Sequence, residues 1–222
     1  SAGPPQPRPT VSLASFSDAL RAQPSFAFAL HAVAPARGEQ AGAAAARAAR
    51  RSAVLPPYLG AAIAGVSICW APPTVYYLPL AATGTPPIAA LGASTPASSS
   101  SLSSPSGDGT QPADGRTHSR AWAVLRAALG GGARKVAHDA KLQLAALQLR
   151  GIIVDGPLAD PKVAAWLVCP SEGADLSVRA LAERYTPEAH APLVGMRGTP
   201  ADLVCKTALL SRRLMGALDA RL

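Results

Sequence analysis

Residues 25–33 read SFAFALHAV. Large and small apolar side chains alternate along this run, and Pro24 stands directly before it. Side chains on a strand point to its two faces in turn, so a run apolar at both sets of positions belongs to a buried strand. The rest of the chain can be read outward from it.

Upstream, Thr10 to Leu13 alternates as a short strand. Residues 15–22 follow as a helix that Ser15 or Ser17 can cap and Pro24 stops. Downstream, IAGVSICW (63–70) carries β-branched residues and reads as a second strand, and TVYYLPL (74–80) as a third. Ala71-Pro72-Pro73 is the hairpin connection between them. AWAVLRAAL, from Ala121, has helical spacing and stops at Gly130-Gly131-Gly132. Arg134 to Ala137 is a short strand. Ala140 to Leu149 is an amphipathic helix offering Leu142, Leu144, Leu147 and Leu149 to the core and ended by Gly151, and Ile152 to Val154 is another short strand. Asp160 caps a helix that Pro161 opens and that runs to about Val168. Asp175 or Ser177 caps the next, which ends near Tyr185. The last helix spans 200–222 with Leu203, Leu209, Leu210, Leu214 and Leu218 broadly on one side. This order specifies an α/β domain built on a mixed sheet.

Two stretches fall outside the pattern. Residues 35–52 are rich in Ala and Arg and suit either a surface helix or a disordered spacer, so an insertion is expected over about residues 35–55. Residues 83–119 contain TPASSSSLSSPSGDG and bury too little to offset their ordering entropy, which predicts a disordered insertion. Residues 1–8 read as a flexible tail, and 9–222 as the domain.

Of the 222 residues 49% are hydrophobic but only 5% aromatic; much of the rest is alanine, so burial depends on the few Leu-, Ile-, Val- and Phe-bearing stretches. The net charge of +8 is compatible with a nucleic-acid partner. Arg47, Arg50 and Arg51 serve equally as phosphate contacts or as a solvated spacer. Cys69, Cys169 and Cys205 are far apart and form no CxxC, which predicts reduced thiols filling core positions in an intracellular protein. Prolines break 55–80, the nearest approach to an apolar span, so no membrane partner is expected. No GxxxxGK[ST] and no GxSxG occurs, and His31, His118, His138 and His190 are scattered. No signal peptide is recognised, and a chain opening on Ser1 is expected to be cut from a longer protein.

Five segments carry a resemblance: Phe26-Ala27-Phe28-Ala29-Leu30-His31, Val75-Tyr76-Tyr77-Leu78-Pro79-Leu80, Lys135 to Gln143 (KVAHDAKLQ), Leu147 with Gly151-Ile152, and LAERY at 181–185. In this order they resemble the 3′–5′ exonuclease domain of family A DNA polymerases, the DNA polymerase I family, whose pattern runs FAFDTET, YYIPL, KVGHNLKYD. Asp160 to Leu167 (DPKVAAWL), followed by Cys169-Pro170-Ser171, is similar to the DPKVAxWLLDPS stretch of the theta and nu polymerases. The resemblance implies a ribonuclease H-like (DnaQ-like) mixed sheet flanked by helices. It also implies a nuclear DNA-repair polymerase as the parent, with the polymerase module following Leu222.

Active members of that family hydrolyse a terminal phosphodiester with two metal ions held by carboxylates, while a tyrosine orients the water. Where the first motif needs Asp-x-Glu, this chain has Ala29 and His31. Gln143 stands for the Asp of the second, and neighbouring Asp139, where Asn is usual, reads as a helix cap. Gly198 stands for the Tyr of the third, and Asp202 alone keeps a carboxylate. These five positions are therefore expected to be vestigial. No catalytic or metal-binding residue is expected in this domain, and Mg²⁺ is expected only in the polymerase module. The implied role is a scaffold for that module, with weak DNA contact through basic residues. Two alternatives stand beside it: an active proofreading exonuclease whose ligands lie elsewhere in the chain, and a stand-alone module binding nucleic acid or protein.

Overall fold

The computed structural model describes residues 10–33, 62–80, 88–91, 115–170, 175–190 and 198–222; the tail 1–8, the stretch 35–55 and most of 83–119 lie outside them. The described elements are β1 (Thr10–Val11), α1 (Leu13–Arg21), β2 (Ser25–Val33), β3 (Ala62–Cys69), β4 (Val75–Pro79), β5 (Ile88–Leu91), α2 (Gly115–Leu129), β6 (Arg134–Val136), α3 (Ala140–Gln148), β7 (Leu158–Ala159), α4 (Pro161–Val168), α5 (Val178–Tyr185), α6 (Pro187–His190) and α7 (Pro200–Asp219).

The strands form one mixed sheet in the order β1-β5-β4-β3-β2-β6-β7. β2 lies near its middle, as the apolar run at 25–33 requires, with Phe26, Ala27, Phe28, Ala29 and Leu30 all buried. It pairs antiparallel with β3 and parallel with β6. β3 and β4 form the expected hairpin across Pro72-Pro73, joined by a cis peptide bond.

Because β2 is apolar on both faces, two layers cover it. Phe26, Phe28 and Leu30 face a layer that includes Phe16 and Leu20 of α1, Leu125 and Leu129 of α2, and Leu147 of α3. Ala27 faces the opposite layer, with Ala164 and Ala165 of α4, Leu181 and Tyr185 of α5, and Leu210, Leu214 and Leu218 of α7. Small residues on the second face let α7 lie close against the sheet.

Several expectations need correction. The first helix begins at Leu13, and its cap is Ser12, whose hydroxyl accepts from the amide of Ser15; neither Ser15 nor Ser17 is the cap. The segment 83–119 is not structureless throughout. Ile88–Leu91 pairs with both β4 and β1, and α2 starts at Gly115 rather than Ala121. A strand this short carries too little pattern to emerge from a Ser/Pro-rich background, and its partners are elsewhere in the chain. Residues 152–154 form no strand; the parallel edge strand is Leu158–Ala159. Leu149 and Leu203 face solvent, 62% and 53% exposed. Cys69 and Cys205 are buried, but Cys169 is only half-buried at the end of α4. The caps Asp160 and Ser177 stand as expected, with Asp175 supporting Ser177.

Candidate functional site

Of the five positions expected to be vestigial, β2 carries Ala29 and His31, α3 carries Gln143, and the start of α7 carries Gly198 and Asp202. The fold brings β2 and α3 together directly. Gln143 is buried, its Oε1 accepts from the amide of Leu30 at 3.1 Å, and its Nε2 donates to the carbonyl of His138 at 2.8 Å. The residue between Ala29 and His31 is thus tied to α3 by a side chain that must accept at one end and donate at the other. A carboxamide does both; an ionised carboxylate only accepts.

Ala29 lies in an apolar cluster with Cys69 and Val75 from the sheet and Cys205, Ala208 and Leu209 from α7. The opposite strand fastens α7 there. The buried Ser67 hydroxyl contacts the carbonyl of Val204 on α7 at 2.8 Å and that of Ala29 at 3.3 Å. Beside Ala29 the helix therefore presents small and apolar side chains. Burial pushes the Cys69 thiol up to about 12, with Arg212 and Arg213 pulling the other way.

His31 sits at the margin of this cluster. Its Nδ1 lies 2.6 Å from the hydroxyl of Tyr77 on β4. The tyrosine crosses Gly65, the register partner of His31, to reach it, and a Cβ at Gly65 would overlap the Tyr77 hydroxyl and Cζ. Burial lowers the His31 pKa from its usual 6.5. Desolvation pushes the Tyr77 phenol up to about 12, with Cys205 adding to the effect. The ring lies against a phenol in a partly buried site, which is not the environment of a hard-cation ligand.

Asp202 is engaged in a capping box: the Thr199 hydroxyl accepts from its amide while its carboxylate accepts from Thr199 N at 2.9 Å. Asp202 thereby serves as the first-turn acid of α7. Gly198 fits the same arrangement, since a Cβ there would stand 2.7 Å from Cβ of Asp202. A side chain at 198 and this capping box exclude one another.

Asp139 behaves differently from its expected role. Its side chain makes no cap; its backbone is left-handed, at φ 56°, and its carboxylate pairs with Lys162 at 3.2 Å, both side chains being more than a third exposed. The acceptor for the start of α3 is Asp160. One of its oxygens takes the amides of Lys162 and Asp139 (2.8 and 3.1 Å), and the other takes that of Ala140 (2.8 Å). One carboxylate therefore caps α3 and α4 together. Sequence spacing reveals only the local half of this arrangement, because the distant half depends on how β6 and β7 pair.

A second feature absent from the sequence reading is Lys135. It is fully buried in β6, and its ammonium donates to the carbonyls of Gly131 and Asp155; desolvation lowers its pKa. Among the described residues, no group of three or more His, Cys, Asp and Glu side chains gathers as a ligand set, and no helix is long and apolar enough to cross a membrane.

No protein-family model matches the sequence, and no curated protein matches it. Among solved structures, a similar fold occurs in the POL domain of Pol1 from M. smegmatis in complex with DNA primer-template and dNTP, with a TM-score of 0.55 at 20% sequence identity. The likeness covers 95% of this chain and 26% of that one, so the chain spans about a quarter of that polymerase chain's length. At this identity the shared property is the α/β fold.

Proposed function

We propose that this chain is a degenerate 3′–5′ exonuclease-like domain of a family A DNA polymerase, of the theta/nu type, with a ribonuclease H-like sheet. Its work is to scaffold a polymerase module and to contact DNA weakly through basic residues. The domain extends over residues 9–222, in the setting of a nuclear repair polymerase. The sheet order supports the fold assignment: three antiparallel strands, β4-β3-β2, are followed by parallel β6 and β7. The fold shared with a DNA polymerase I chain supports the wider relation.

The observation that carries the loss of chemistry is Gln143. Four of the five positions matching the family's motifs hold Ala29, His31, Gln143 and Gly198, and the one of these on α3 is used as a structural bridge from Leu30 to His138. The remaining carboxylate, Asp202, is occupied by its cap. A two-metal mechanism needs carboxylates from several elements converging within a few ångströms, and this set supplies one.

The test is digestion of a labelled single-stranded primer at high protein concentration with Mg²⁺ and with Mn²⁺. The expected result is no shortening above the level seen with Asp202→Ala. Digestion that Asp202→Ala abolishes overturns the reading in favour of an active exonuclease.

A further inference from the structure

The charged groups at the far end of the sheet are distributed unevenly. Arg134, at the start of β6, holds Asp219 of α7 through two hydrogen bonds of 2.6 and 2.8 Å. Arg212 lies two turns before Asp219 on the same helix face, since seven residues advance an α-helix by about two turns. It is close enough to contribute to holding the Asp219 carboxyl below its usual range, after Arg134. Arg213 is next to it, and both act on Cys69. Among the described residues, neither Arg212 nor Arg213 has a carboxylate within ion-pair distance, and the buried Nε of Arg212 finds no hydrogen-bond partner. An arginine held with Nε inward keeps its terminal nitrogens as the part left to donate. Arg134 and Arg212 thus bear on one carboxylate, and Arg213, next to Arg212 in the sequence, has none in ion-pair reach among the described residues.

Arg134 stands apart from the positions on β2 that the family's first motif occupies. Arg134 pairs with Ser25 at the start of β2, whereas Ala29 and His31 lie further along it, about 13–20 Å away at a strand's rise. Tyr185 lies buried beneath Arg221, 4.9 Å from its centroid, and offers no free face for an unstacked base. The surface supplies guanidinium groups, the chemistry of sequence-independent phosphate contact.

We propose that Arg212 and Arg213, beside the Arg134–Asp219 pair, form the surface through which this chain binds the phosphate backbone of duplex DNA. The proposal rests on the weak DNA contact of the preceding reading and locates it on α7 beside the start of β6.

The test is fluorescence anisotropy of a labelled duplex with the full chain, titrated between about 50 and 200 mM salt, where counterion release makes affinity fall steeply. Arg212→Gln with Arg213→Gln should lower affinity at the low-salt end by about tenfold or more and reduce the salt slope by about two. Arg212→Lys with Arg213→Lys should keep the slope, which separates charge from packing. Arg120→Gln with Arg126→Gln, on exposed positions of α2, should change affinity less than threefold, a bound set by one lost phosphate contact. An unchanged slope in the glutamine pair overturns the proposal, as does an equal loss in the α2 pair. If the wild-type chain binds no duplex at all, the DNA contact of the preceding reading fails with it.

Discussion

At the residue scale, Gln143 and His31 each tie β2 to a neighbouring element, Gln143 to α3 and His31 to β4. Gln143→Leu leaves a buried amide and a buried carbonyl without partners, and each such group costs about 1–3 kcal/mol. Denaturant unfolding should show a loss of about 2–5 kcal/mol, with far-UV dichroism unchanged in native conditions. Gln143→Asp should also destabilise, because it brings a charge into a buried position and cannot donate to His138. His31 gives a pH dependence. Its folded pKa lies below 6.5, so the folded chain binds this proton less readily than the unfolded chain. Its contribution is therefore complete above the usual histidine range and is lost as pH falls through the window below 6.5. Comparing unfolding free energies at about pH 7.5 and about pH 5 should show a smaller drop in His31→Gln than in the wild type. An equal drop would assign the acid sensitivity to other groups.

At the scale of elements, Asp160 and Asp139 divide their roles in a way that mutation can separate. Asp160→Ala removes the acceptor for three backbone amides at the starts of α3 and α4, and should cost about 2–4 kcal/mol, more than a single cap. Asp139→Ala removes only an exposed ion pair and should cost under about 1 kcal/mol. Asp139→Gly should be neutral or stabilising, since its backbone occupies the left-handed region that glycine enters without strain. Equal losses for the two alanine variants would show that α3 is capped by Asp139 after all. Gly65→Ala should cost about 1–3 kcal/mol by pushing Tyr77 off the sheet, and should free His31 from its phenol partner, measurable as a changed histidine titration by NMR.

For the whole molecule, the sheet continues past the hairpin because β5 joins β4 to β1. Excising residues 83–119 therefore removes a strand and the first turn of α2, and should lower the melting temperature by several degrees, consistent with about 2–4 °C per kcal/mol at this size. Trimming within 93–113 spares both paired elements and should change it little. A neutral outcome for the larger excision would show that β5 contributes nothing to stability. A further surface stands out at this scale: Val163, Trp166 and Leu167 of α4 are each more than half exposed, although Ala164 and Ala165 of the same helix are buried. The helix thus turns its large side chains outward and its alanines inward.

Local signals sufficed for much of this molecule. The run SFAFALHAV marked a buried strand to its residue limits, and Asp160-Pro161 marked a helix start, because caps and periodicity act over a few neighbouring residues. The tertiary structure decided the rest: that Gln143 reaches Leu30 113 positions away, that Ser67 pins Val204, that Asp160 caps a helix twenty residues before it, and that Ile88–Leu91 is a strand. The physical reason is common to all four. A hydrogen bond between distant segments depends on sheet register and helix placement, which arise from the whole core and leave no periodic mark in the chain.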